Sequence, residues 1–181
     1  MMKPVTLIIV YILLICLLCA CAGNSQGVMT PSIDETQETA VELDMEDAPM
    51  YYTADSRITD VINDPAFGEY GRLIFPVDQW YYSGETLGDL SLTWYSHIDP
   101  DKTVEICNYF KTHADAGDVI FYDIYSDQEK RSDPEKEDTG LFFFKGEPGA
   151  KFAICNAGGG FAYVGAMHDS FPHGLELSKM G

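Results

Sequence analysis

Residues 152–165, FAICNAGGGFAYVG, set an apolar run against three consecutive glycines and then an aromatic. Glycine loses more conformational freedom on folding than any other residue, so a run of three needs a reason. Either the backbone turns to positive φ there, or something comes too close for a side chain. Upstream, Lys151–Ala157 reads as a strand. Downstream, Phe171, Leu175 and Ser178 share one face of a helix that Ser170 can cap, with Leu177 flanking and Gly181 at the position after its end. A buried strand, a glycine loop and a helix in this order predict an α/β architecture.

The residues before the loop extend that pattern. Asp99-Pro100 reads as an N-cap followed by proline in the first turn; Val104, Cys107 and Phe110 recur on one face beside Ile106, and Gly117 stops the helix. VIFYDIY (119–125) and GLFFFK (140–145) read as strands. Between them, nine of the twelve residues of DQEKRSDPEKED (127–138) are charged, which predicts a solvated hairpin tip. Glu147-Pro148-Gly149 signals a turn before the third strand. Residues 58–98 mix aromatics with glycine and proline without a sustained period, and read as loops and short turns over a core built later. A strand–loop–helix unit needs a parallel neighbour to complete its crossover, so the helix ending at Lys179-Met180-Gly181 is expected to hand over to a further parallel strand.

The first fifty residues belong to a different class. Lys3 precedes an uncharged apolar stretch, Val5 to Leu18, too short for a comfortable membrane span and suited to a signal segment. Leu18-Cys19-Ala20-Cys21 resembles the lipobox of bacterial lipoproteins, which implies cleavage before Cys21 and a diacylglyceryl thioether on its sulfur. Residues 1–20 are then a lipoprotein signal peptide. Residues 21–49, acidic and free of aromatics after Cys21, are a disordered tether lifting the rest off the membrane. The expected location is the cell envelope, membrane-anchored on the extracytoplasmic side. Only Cys107 and Cys155 remain in the body; one lies in a helical pattern and the other in an apolar strand, so both are expected as buried free thiols rather than a disulfide. No cysteine or histidine spacing points to zinc, and no cofactor is implied. The formal charge of −18, from 29 acids against 11 bases, repels nucleic acid and anionic lipid surfaces.

Three chemistries use a glycine loop between strand and helix. A dinucleotide-binding turn needs spaced glycines and a phosphate-binding loop needs Gly-Lys-Ser/Thr; both patterns are absent here. The third is the oxyanion loop, where glycines let backbone N–H groups reach a reacting carbonyl oxygen. Here NAGGGFAYVGAMHDSFPHGLELSKMG resembles the oxyanion-loop-plus-helix segment of the α/β-hydrolase superfamily, in its esterase/lipase and dienelactone-hydrolase-like branch. The resemblance covers residues 117–181 as the N-terminal part of a hydrolase domain, with 50–116 as an N-terminal extension. It implies an incomplete hydrolase sheet: first strands plus the oxyanion-loop helix. Where that family usually has His-Gly-Gly-Gly, this chain has Asn156-Ala157-Gly158-Gly159-Gly160, so the loop's anchor differs while its backbone donors remain. The resemblance makes Gly158, Gly159 and Gly160 the oxyanion donors, the last two foremost. Each such donor contributes about 2.7–4 kcal/mol to the transition state.

The rest of the family's machinery is missing. No Gly-x-Ser-x-Gly occurs in the 181 residues, so no nucleophile, acid or histidine can be assigned. His168, Asp169, Ser170 and His173 are too close in sequence to stand in line as nucleophile, base and orienter, and read as a helix start. His97 and His113 read as solvated surface. The expectation is an exported lipid-anchored hydrolase of carboxylic esters or related acyl bonds, with a small-molecule ester as substrate, whose present residues alone turn nothing over. The competing expectation is a non-enzymatic surface lipoprotein, a binding module in which Trp80-Tyr81-Tyr82 and Trp94-Tyr95 face a ligand; exposed aromatics favour it.

Overall fold

The computed structural model describes residues 50–94 and 98–181. The signal segment, Cys21, the acidic tether, Tyr95 and His97 lie outside the described residues. The described chain mixes helices with two small antiparallel sheets, a mixed α/β arrangement.

Helix α1 (Ile58–Ile62) turns Ile58 and Val61 inward. Short 3-10 helices follow at Gly68–Leu73 and Gln79–Tyr81. Strands β1 (Tyr82–Ser83) and β2 (Ser91–Leu92) then pair antiparallel, Tyr82 opposite Leu92. These residues are more than a covering of loops. Phe67, Ile74, Phe75, Leu87 and Leu92 are buried in the same cluster as Ile106, Phe110, Phe171 and Leu175, so residues before and after 116 share one core. The irregular hydrophobic spacing of 58–98 hid this, because no periodic element carries it.

Helix α2 (Pro100–Asp115) begins as its sequence predicts. The Asp99 carboxylate accepts from the Asp101 and Lys102 N–H groups at 3.0 and 3.2 Å, and Pro100 occupies the first turn, where an N–H would be unsatisfied anyway. It ends at Gly117, whose φ of 83° reverses the chain. Ile106, Cys107, Tyr109 and Phe110 are buried along its inner face.

Strands β3 (Phe121–Asp123) and β4 (Gly140–Phe142) pair antiparallel with Phe121 opposite Phe142. Gly140 lets the Phe121 ring lie across it: a Cβ there would sit 2.0 Å from Cζ. The connection is not a bare charged tip. Residues Asp127–Ser132 form helix α3, closed by a capping box in which Ser126 and Glu129 satisfy each other's N–H groups. A further turn, Pro134–Asp138, follows, and Arg72 pairs with Asp138.

Helix α4 (Ser170–Lys179) buries Ser170, Phe171 and Leu175. Asp169, not Ser170, occupies the cap position, and Ser170 is the first helical residue. Phe110 joins the elements: its ring lies 5.2 Å from Phe142, 5.0 Å from Phe144 and 5.2 Å from Phe171, the last edge-to-face. Lys102 links α2 to α4 through Glu176 at 2.7 Å.

The third expected strand is the main departure. Residues 151–157 form no strand, and among the described residues their backbone makes no hydrogen bond to another segment. Phe152 and Ile154 are 88% and 68% exposed, and Cys155 is exposed rather than buried. The β propensity of the run is intact, but a strand exists only where a neighbour takes its ladder bonds, and none lies beside it. An open cleft of about 1530 Å³ separates this run from β4, lined by Phe142, Phe144, Phe152, Ile154, Phe171 and Leu177 among others.

Candidate functional site

The glycine loop takes the left-handed turn its composition requires. Gly159 and Gly160 have φ of 141° and 61°, and Phe161 follows at 62°, the one described non-glycine residue at positive φ. A Cβ on Gly159 would lie 1.8 Å from the Tyr163 carbonyl oxygen, so no other residue fits there without moving the loop. The loop closes on itself: Ala162 N–H donates to Gly159 O at 3.0 Å, and Gly165 N–H to Gly158 O at 3.0 Å.

Asp169 ties the loop to helix α4. Its Oδ2 accepts the Gly158 N–H at 2.7 Å, so the residue that caps α4 spends its carboxylate on the loop rather than on its own helix. This gives the loop the anchor that its sequence left open. It also engages one of the three expected donors: the Gly158 N–H is occupied. Among the described residues, the N–H groups of Gly159 and Gly160 have no acceptor. Backbone donors left without an acceptor are the kind of group that can stabilise a developing oxyanion.

The neighbouring histidines do other work. The His173 Nδ1 lies 2.6 Å from the Asp169 backbone oxygen, inside the first turn of α4. His168 packs against Gly165, where a Cβ would meet Cε1 at 2.3 Å; burial pushes its pKa down, against the opposing pull of the Asp169 charge. The Ser170 side chain is buried at the start of the helix. The cluster forms the start of α4.

His113 differs from its expected surface position. It is buried, with its ring tilted 44° against the Tyr109 ring at 4.3 Å, and sits 2.7 Å from Asp118 Oδ2. The hydrogen bond from His113 holds the Asp118 carboxyl below its usual range, and Lys145 adds to it. Burial pushes the Cys107 thiol far up, which leaves it inert. Among the described residues, no group of three or more His, Cys, Asp or Glu side chains could hold a metal ion.

Sequence reasoning missed the aromatic wall beside the loop. Tyr163 stacks on Tyr81 with ring centroids 4.9 Å apart, and Trp94 lies 5.4 Å from Tyr163 on the other pairing. The Trp94 six-membered ring borders Gly160, where a Cβ would come within 3.2 Å of Cζ3. Trp80 and Trp94 are 88% and 58% exposed, while Tyr81 and Tyr82 are half-buried. The Trp/Tyr-rich stretches signalled aromatic surface, but their meeting with Tyr163 depends on the β1–β2 pairing, which no local pattern marks. Comparison with protein-family models, curated proteins and solved structures finds no match for this chain.

Proposed function

We propose that this chain is the N-terminal part of an exported, lipid-anchored α/β hydrolase that cleaves carboxylic esters or related acyl bonds, and that it supplies the oxyanion loop. The observation that carries the reading is the pair of unengaged N–H groups at Gly159 and Gly160 on a loop pinned by Asp169. As an ester carbonyl is attacked, its oxygen gains negative charge. Donors already aimed and held, in a loop without side chains, stabilise that charge without reorganising. The nucleophile, acid and histidine have no counterpart among these 181 residues, so these residues alone are expected to turn over no ester.

The open cleft supports the same reading. A strand of six residues is about 20 Å long, 4.8 Å wide and 10 Å deep across its side chains, on the order of 1000 Å³. The open cleft that borders both β4 and residues 151–157 has a volume of about 1530 Å³, on the scale of such a strand. A parallel strand entering it by a right-handed crossover from α4 would take the ladder bonds of 151–157.

The test is to read the nucleotide sequence past the Gly181 codon and express the continuous frame. The expected result is a Gly-x-Ser-x-Gly about 50–90 residues on. Hydrolysis of p-nitrophenyl acetate should be abolished by changing that serine to alanine and lowered about 10²–10³-fold by Gly159→Ala. A stop codon with no such frame would overturn the hydrolase reading. The binding-module reading would then stand, favoured by the exposure of Trp80 and Trp94.

A further inference from the structure

The aromatic wall has features that packing alone does not require. Trp94 is more than half exposed, although tryptophan offers the largest apolar surface a chain can bury. Its orientation is nevertheless set. One side rests on Tyr163, which in turn rests on Tyr81, with interplanar angles of 31° and 25°. The Tyr81 carbonyl accepts from Thr93 N–H at 2.9 Å, so the chain bearing Trp94 is fastened to the chain bearing Tyr81. The neighbouring Phe161 is fully exposed at a φ of 62°, a conformation that costs a side-chain-bearing residue energy and persists at sites where function repays it.

We infer that the Trp94–Tyr163–Tyr81 stack, with Phe161 beside it, is a stacking platform for a neutral sugar ring next to the glycine loop. A pyranose has a face of C–H groups carrying slight positive charge and a rim of hydroxyls. The C–H face suits the negative face of an indole, and the hydroxyls stay in water or reach backbone groups. The platform is open rather than a closed apolar channel, so a flat amphipathic ring fits it better than an acyl chain does. The molecule's charge of −18 works against anionic ligands and leaves neutral polyols unaffected. Gly160 borders the Trp94 ring, and the Gly159 and Gly160 N–H groups have no acceptor among the described residues, so backbone donors lie near the platform. If the loop serves ester cleavage, a point that rests on the function proposed above, the substrate class becomes an O-acylated carbohydrate, its sugar on Trp94 and its acyl carbonyl at the loop.

Sugar binding needs no hydrolysis, so it can be tested apart from the enzyme reading. The chain holds only two tryptophans, and in a Trp80→Phe background the emission of the full chain in detergent reports Trp94 alone. Titration with unacylated cellotetraose and xylotetraose should give a saturable blue shift. Because the Trp94 variants lose the reporting indole, their affinity is read by sugar-observed NMR titration, where Trp94→Ala should weaken binding about tenfold and Trp94→Phe should retain most of it. Saturation-transfer NMR on the unaltered chain reads the same contact without any variant: the ring C–H protons of the sugar should receive saturation. Absence of saturation transfer to both sugars, or Trp94→Ala binding as tightly as the parent, overturns the platform. Ester turnover without sugar binding would remove this inference and leave the hydrolase; sugar binding without turnover would do the reverse.

Discussion

At the scale of single residues, the loop and its surroundings illustrate how a short stretch is held by groups outside it. Gly159 is irreplaceable on steric grounds, Asp169 supplies a carboxylate to Gly158, and Gly165 yields its space to the His168 ring. That last contact has a consequence for pH. Burial lowers the His168 pKa beneath the ordinary histidine value of 6.5, so the unfolded chain binds the proton more readily than the folded one. The stability it contributes is therefore present above pH 6.5 and is lost as pH falls through the lower folded-state value. Urea-unfolding midpoints at pH 7.5 and pH 5.5 should drop for the parent chain and drop less for His168→Gln. Equal drops would show that His168 is not responsible.

Among the elements, the joints are aromatic. Phe110 on α2, Phe142 and Phe144 at the end of β4, and Phe171 on α4 form one ring cluster. Gly174 opens α4 for it, since a Cβ there would sit 2.5 Å from Cδ2 of Phe144. Polar ties lock the same corner: Tyr109 Oη accepts from Lys145 N–H at 2.7 Å, and Ser178 donates to the Lys145 carbonyl. Phe110→Ala removes the shared ring and leaves a cavity among three elements. It should cost about 3–5 kcal/mol, read as a lowered denaturation midpoint. Glu176→Ala breaks exposed pairs with Lys102 and Lys179 and should cost less than about 1 kcal/mol. A Phe110→Ala cost no larger than the Glu176→Ala cost would mean the rings do not join these elements.

For the whole molecule, the unbalanced feature is the edge at 151–157. An apolar run with unmade ladder bonds invites pairing with another chain, so this face is the expected seat of aggregation. Among the described residues no helix is long and apolar enough to cross a membrane. The proposed lipid anchor is tested at Cys21. Mass spectrometry of the membrane fraction should find a mature N-terminus at Cys21 carrying a diacylglyceryl group. An unmodified N-terminus at Met1 would sink the lipoprotein reading.

The features legible in the sequence are those satisfied within a few residues. Asp99 and Pro100 start α2 because capping needs only the next N–H groups, and Gly117 and Gly159-Gly160 turn to positive φ because no Cβ opposes them. The hairpin pairing of 119–125 with 140–145 was equally plain from two β-rich runs either side of a charged segment. The capping box inside that segment was local too, but its run of charges masked the Ser126/Glu129 spacing. Burial and sheet membership are different, because they depend on what lies opposite. The same β propensity makes a paired strand of 140–142 and leaves 151–157 unpaired with Cys155 in solvent; His113 goes inside because Tyr109 and Asp118 meet it there. The aromatic wall joins residues about 80 positions apart, Tyr81 with Tyr163. Local torsions and caps are decided by neighbours along the chain, whereas partners in space are decided by the packing of the whole, and only the tertiary structure contains them.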